Sequence, residues 1–409
     1  MQVIISKSNL FCLFICIFLI FGVVLYDTID FNYTDEILTL VLAFLAFLNI
    51  KRYMLLKPTK ELINIYILLS IFLFYLFYSF YIHSNTRTAI IQDFVVQLKP
   101  FLAFFSVLFI APYLNKKHKF FLKLSAIIGS IFLLFPVFYG LSIGSMEEAI
   151  DKIIGHPSRF ATSVTSCAFI YLYASDFKLK NLLVFLLIFS LGLFSLRSKF
   201  YGFYILTILI LFVFNKISVK LHLKSIIAIA GILLLVIYFS LDKLTYYFVV
   251  GGVSAEETFA RPALYSGAIE IIKNYFPFGS GFASYATYFS SVSYSNMYYE
   301  LNLDKVWGLS SDYNMFISDT YFPALAQFGI VGVFLFFYFF YKLIKQANRY
   351  KKIMNKKFIK EYTFIVLFVF FFVIESIADS TFTHNRGVFM MILMAVSLND
   401  LKKLTSNEN

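Results

Sequence analysis

The chain has 409 residues, 60% of them hydrophobic and only 14% charged, with mean hydropathy +0.80 and formal net charge +12. Soluble domains sit at about 45–50% apolar and about 25% charged, and a protein of this size could not bury so large an apolar surplus. Water is excluded as the main solvent. In lipid every backbone polar group must be satisfied internally, which leaves helical bundles and closed barrels. The apolar runs here are long and nearly continuous, not alternating, so the barrel is excluded as well.

In chain order the runs predict about twelve transmembrane helices, near 9–26, 36–50, 61–82, 98–114, 120–141, 160–174, 181–196, 200–215, 224–240, 321–341, 361–378 and 386–398. Lys7 before an apolar run resembles a signal peptide. No small-residue cleavage site follows at Val23 to Thr28, so the first helix is expected to be retained. Cys12, Cys16 and Cys167 all fall in apolar runs and read as small hydrophobes.

The connections Lys51 to Lys60, Asn115 to Lys119, Ser175 to Lys180, Asn215 to Lys224 and Lys342 to Lys360 alternate regularly with the spans. They and the termini hold most of the 35 Lys and Arg but few of the 23 Asp and Glu. The positive-inside rule then puts them, and both termini, in the cytoplasm. The net charge is thus topogenic and implies no nucleic acid. Contact of the Lys342 to Lys360 loop with anionic membrane lipids is compatible with it.

This topology divides the chain into spans one to nine over 1–240, one large outer loop over 241–320, and spans ten to twelve with a tail over 321–409. The loop is too long and too aromatic to be a plain connector. Arg261-Pro262 suits a helix start. Leu264, Ala268, Ile271, Ile272 and Tyr275 form one helical face, which predicts an amphipathic helix lying on lipid or on the bundle. Pro277-Phe278-Gly279-Ser280-Gly281-Phe282 stops it in a turn. The Tyr- and Ser-rich stretch from Tyr285 to Tyr299, with the single tryptophan Trp307 beyond it, reads equally as a sugar-binding cleft or as an interfacial belt. Asp312 and Asp319 are seven apart, so a helix would put them on one face. They are either a general base pair or solvated loop acids.

Several outer-side basic residues run against the charge bias. Arg197 and Lys199 occupy the connection between spans seven and eight, Arg159 opens the sixth in Gly155-His156-Pro157-Ser158-Arg159, and Arg386 caps the last. Anion binding is the functional reading and snorkelling the bland one. Glu375 and Asp379, one turn apart, call for a basic partner, with Arg386 or Arg197 the natural choices. His156 and His384 stand beside arginines. The chain has no phosphate-cradling glycine loop and no zinc-ligand spacing, so neither metal nor cofactor is expected.

Three features together resemble the O-antigen polymerase and ligase superfamily of bacterial envelope glycan synthesis. They are the many-span bundle with one large late loop, the run Ala260-Arg261-Pro262-Ala263-Leu264-Tyr265 through Ile271-Ile272 to Pro277-Phe278-Gly279-Ser280-Gly281, and Ala326-Gln327-Phe328-Gly329-Ile330-Val331-Gly332 entering a Phe-rich helix. The resemblance implies a GT-C-like, metal-independent glycosyltransferase in the bacterial cytoplasmic membrane. Such an enzyme uses an undecaprenyl-diphosphate-linked oligosaccharide on the outer face. Outer arginines would clamp the diphosphate, matching Arg197 and Arg261 with Arg386 a further choice; Lys199 and Arg159 are basic neighbours, and Trp307 a sugar contact. Asp312, Asp319 or Glu375 would activate the acceptor. Ligases carry a His-Asn where this chain reads Ser311-Asp312-Tyr313-Asn314, which favours a polymerase of O-antigen or capsular repeat units, working beside a flippase and a chain-length regulator. The alternatives are a ligase and a twelve-span lipid-oligosaccharide flippase or transporter. Against the latter, the connection between spans six and seven is short and the long loop lies outside.

Overall fold

A computed structural model describes residues 7–29, 33–53, 60–216, 259–354 and 359–406. The predicted span at 224–240 and the loop's beginning at 241–258 lie outside the described residues. Among those described, the chain is all-helical with no strand. The long elements are α1 (Lys7–Val24), α2 (Thr34–Tyr53), α3 (Lys60–Tyr81), α4 (Arg87–Ile110), α5 (Lys116–Ile143), the short α6 (Met146–Ile154), α7 (Pro157–Ala174), α8 (Leu179–Ser190) and α9 (Ser198–Lys216). After the undescribed stretch come α10 (Ala260–Asn274), α11 (Gly329–Met354), α12 (Lys360–Ile377) and α13 (Asn385–Ser406).

Among the described residues five helices are long and apolar enough to cross a membrane: α1, α3, α4, α5 and the run Tyr321–Met354 that ends in α11. They mark the chain as a multi-pass membrane protein. Large apolar side chains such as Phe74, Phe77, Phe120, Phe135, Phe138 and Phe334 are exposed along them, a surface no water-soluble monomer carries. Two of the remaining helices differ because protein surrounds them. Both α7 and α13 are buried along nearly their whole length. A sheathed helix can therefore hold Thr162, Thr165 and Ser166, whose hydroxyls donate to carbonyls within the same helix at 2.8–3.0 Å.

The two ends of the bundle differ in charge. At one end Lys402 pairs with Glu61 at 2.7 Å, Lys403 donates to the Pro112 carbonyl, Lys360 donates to Tyr173 and Ser175 carbonyls, and the Tyr113 N–H donates to Ser8. All the basic connections described gather there. The opposite end, called here the cavity end, carries the α3–α4 turn, the starts of α7 and α13, the end of α12 and the whole of the 259–328 segment.

The structure moves several span boundaries: α11 runs on to Met354 and α13 to Ser406, past the expected ends at 341 and 398. The helix expected near 98–114 begins at Arg87, because Asp93, Gln97 and Lys99 are buried against protein and need no water. Thr86 caps it, accepting from the Ala89 N–H.

The 259–328 segment folds on its own small core. Leu264, Ala268 and Ile271 of α10 pack there with Tyr285, Tyr298, Leu303, Leu309 and Ile317. The amphipathic face thus meets its own loop, not lipid. Tyr285 and Tyr298 prove to be core residues and not part of a cleft or belt. The Tyr285 hydroxyl donates to the Leu264 carbonyl at 2.7 Å, and the Tyr298 hydroxyl accepts from the Ala286 N–H at 2.8 Å. A buried tyrosine needs such a partner for its hydroxyl.

The Pro277–Phe282 turn bolts this segment to the bundle. Gly281 N–H donates to the Gln327 carbonyl, Phe282 N–H to Ser79, and Ala283 N–H to buried Asp93 at 2.7 Å. Tyr78 donates to the Gly279 carbonyl and Asn85 to those of Ala283 and Ser293. Gly279 sits at φ +79°, where a Cβ would lie 2.2 Å from the Gly329 nitrogen. Backbone touches backbone, so nothing can give way. Gly279→Ala is expected to cost at least about 2 kcal/mol, seen as a lowered midpoint in a thermal unfolding scan in detergent; an unchanged midpoint would show that the contact is not maintained.

Candidate functional site

At the cavity end a polar cavity of about 710 Å³ opens among α2, α4, α7, α13 and the 286–292 stretch. A smaller chamber of about 330 Å³ adjoins it. Arg159, Arg386, His384, Ser318 and Ser380 line both. Volumes of this order suit a small-molecule ligand or one segment of a larger one.

One wall is built on a single carboxylate. Asp27 accepts from Arg159 Nη1 at 2.8 Å and also from Arg386 Nη2. Arg386 is almost wholly buried and spends its remaining donors on Ser163 Oγ (2.9 Å) and Asn385 Oδ1 (3.2 Å), with its plane over the Tyr26 ring. Arg159 is different: its side chain is 51% exposed, reaching into the cavity from the first turn of α7. His156 caps that helix through Nδ1, which accepts from the Ser158 N–H, and Pro157 occupies the first turn. A guanidinium so placed offers a planar fork to phosphate or carboxylate oxygens.

The other wall is acidic. Asp35, Glu36 and Asp93 line it, with Lys99 bridging Asp35 at 2.5 Å and Glu36 at 2.6 Å. Carboxylates in such a wall are acceptors for sugar or other hydroxyls. Sequence reasoning passed over Asp27, Asp35, Glu36, Asp93 and Lys99. The available sign was Lys99 itself, a charge within an apolar run.

The predicted site residues separate into three groups. Arg159 and Arg386 line the cavity. Lys199, Glu375, Arg261 and Asp319 form two closed pairs beside it: Lys199 donates to Glu375 at 2.8 Å and to Asp379 at 2.9 Å, and Arg261 Nε donates to Asp319 at 2.8 Å. The basic partner of Glu375 and Asp379 is therefore Lys199, not Arg386 or Arg197. Arg197 lies near His156 (3.4 Å) and Glu147 (3.7 Å), one layer behind the smaller chamber. The third group lines neither chamber. Residues 310–320 form turns instead of a helix, so Asp312 is exposed while Asp319 faces the smaller chamber, and the two share no face. Trp307 is exposed on the loop surface.

Charge states follow from these surroundings. Burial would raise Asp379, but the Lys199 ammonium and the Thr381 hydroxyl, at 2.7 Å, hold it well below the usual carboxylate range. Burial keeps Asp319 above its ordinary value despite Arg261. His384 is pushed down to about 4 by burial, with Asp379 opposing, and is neutral at pH 7. Its Nε2 lies 3.0 Å from Ser380 Oγ on the wall common to both chambers. Among the described residues no three His, Cys, Asp or Glu side chains are placed to hold a metal ion.

No protein family, curated protein or solved structure matches this chain. The site must therefore be read from its own geometry. A last feature bears on that reading. An apolar groove of about 220 Å³ runs between α3, α4 and α11, lined by Ile67, Ile71, Phe72, Phe101, Leu335 and Phe339 among others. Gln97 and Tyr321 line both this groove and the large polar cavity, and the Tyr321 hydroxyl donates to Gln97 Oε1 at 3.2 Å, so the two spaces lie back to back across this buried pair. From there the groove follows α3 from Tyr75 back to Asn64, roughly 16 Å of helix at 1.5 Å per residue.

Proposed function

We propose that the protein is a polymerase joining lipid-linked oligosaccharide repeat units, with undecaprenyl diphosphate as the carrier. In this reading it has twelve spans in a GT-C-like arrangement with both termini cytoplasmic. The cavity then opens on the outer face of the bacterial cytoplasmic membrane. The observation that carries the proposal is an arginine-walled polar cavity set against an apolar groove on the lipid-facing flank, with only the Gln97–Tyr321 pair between them. An amphiphile with an anionic head and a long hydrocarbon chain fills both once the Gln97–Tyr321 pair parts, and neither a soluble nucleotide sugar nor a simple ion needs the groove. The segregation of basic connections at the far end supports the orientation.

The chemistry follows from the two walls. The diphosphate lies against Arg159, with Arg386 behind it, and the acidic wall of Asp35, Glu36 and Asp93 accepts from sugar hydroxyls. An acceptor hydroxyl oxygen attacks the anomeric carbon as the bond to the diphosphate oxygen breaks. The departing electron pair stays on undecaprenyl diphosphate, where Arg159 stabilises the added charge. The hydroxyl proton goes to neutral His384, whose pKa rises when a diphosphate anion is beside it. Asp319 and Glu375 are held in ion pairs, and Asp312 is exposed and lines neither chamber.

Proteoliposomes holding the purified protein and undecaprenyl-diphosphate-linked oligosaccharide test the proposal. A ladder of products rising by one repeat, with undecaprenyl diphosphate released, is expected. Oligosaccharide that stays one repeat long, while being moved across the bilayer, would favour the flippase reading instead.

A further inference from the structure

The indole of Trp307 is 69% exposed, yet it is held in place. Its ring centre lies 5.1 Å from Tyr313 and 5.2 Å from Phe316. Phe316 is packed so close to Gly308, which sits at φ +83°, that a Cβ there would come 2.1 Å from the ring. The Phe316 N–H donates to the Gly308 carbonyl at 3.0 Å. Tyr313 N–H donates to Ser310 Oγ at 3.1 Å, and Asn314 ties the turn to the Ser291 carbonyl at 3.1 Å. This is a rigid aromatic shelf in a polar turn. Its inner edge is continuous with the site, because Phe316, Met315 and Ser318 line the smaller chamber with Arg159.

We propose that Trp307, Tyr313 and Phe316 form a stacking platform for the glycan chain where it enters or leaves the cavity. The inference rests on the polymerase reading and adds to it a second, extended sugar site outside the cavity. Pyranose rings present an apolar C–H face that stacks on indole and phenol rings, while their hydroxyls need polar neighbours. The shelf supplies both: Ser311 and Asp312 directly precede Tyr313 in the chain, Asn302 and Lys305 lie just ahead of Trp307, and all four are exposed. Those same charged groups oppose burial of the shelf in a bilayer interface, which is the other use of exposed tryptophan. Rigidity favours recognition, since little side-chain freedom is left to lose on binding.

Trp307 is the only tryptophan in the chain, so its fluorescence reports on the shelf alone. The probe is repeat-unit oligosaccharide freed by mild acid from the lipid-linked pool of a strain expressing the protein, titrated into protein in phospholipid vesicles. A saturable change in emission is expected, weakened about tenfold by Tyr313→Ala, with little quenching by brominated phospholipid. Quenching by the brominated lipid with no response to oligosaccharide would overturn the platform, as would no response to either. In the reconstituted reaction, Trp307→Ala is expected to raise the half-saturating acceptor concentration about tenfold while leaving the maximal rate unchanged. An unchanged half-saturation would overturn it as well. If the wild-type protein makes no polymer, the polymerase reading fails alone, and the fluorescence titration still decides whether the shelf binds glycan.

Discussion

Replacing Arg386 with alanine is expected to unfold much of the cavity end. The side chain is only 4% exposed and donates to Asp27, Ser163 and Asn385 together. Asp27 itself is 7% exposed, so after the change a buried carboxylate keeps only its bond to Arg159. Removing one partner from a buried ion pair typically costs about 3–5 kcal/mol, more than the intact pair contributes, because the remaining charge is left unsolvated. Asn385 also donates to the Gly22 carbonyl and Ser163 to that of Val23, so disturbance would spread to α1. The measurement is the unfolding midpoint in detergent, alone and with Asp27→Asn added. If the account is right, the double variant recovers part of the loss. A single variant as stable as the parent would mean that Arg386 is solvated in the membrane-embedded protein.

Arg159→Ala should separate function from folding. Its side chain is half in the cavity, and Arg386 remains to neutralise Asp27. An ion pair that exposed contributes at most about 1 kcal/mol, so the variant is expected to fold and insert normally. Loss of a donor that stabilises charge on a leaving group lowers rates about 100- to 1000-fold. Polymer should therefore collapse to single repeats on a gel while protein level and unfolding midpoint hold. Arg159→Lys is expected to recover only part of the activity, since an ammonium cannot offer the two-pronged contact of a guanidinium. Arg261→Ala and Arg197→Ala are expected to act less directly, through Asp319 and His156.

What the sequence makes legible is set by range. Apolar runs show where helices lie, because lipid contact is a local requirement. Even so, the start of α4 at Arg87 is hidden, since Asp93, Gln97 and Lys99 look like a loop until their buried partners are known. Basic residues against the charge bias lead to Arg159 and Arg386 at the cavity and to Lys199 beside it. Their pairings are not legible. Asp27 and Arg386 are 359 positions apart and Lys199 and Glu375 are 176 apart, and nothing in one short segment announces the other. Within 285–299, Tyr288 does line the cavity, but Tyr285 and Tyr298 mislead for a related reason. A phenol is apolar with one polar tip, so cleft, interface and core all accept it; only a facing carbonyl, such as that of Leu264 for Tyr285, decides. The glycine turn at 279–281 is legible as a turn, but its contact with Gly329 is visible only when both backbones are in place.

Binding of undecaprenyl diphosphate to the parent protein and to Arg159→Ala, compared in nanodiscs by displacement of a labelled copy, tests the central claim most directly. The account predicts saturable binding by the parent, weakened at least about tenfold in the variant, and much weaker binding of a farnesyl diphosphate too short to fill the groove. Equal binding by both proteins, or no dependence on chain length, would contradict it.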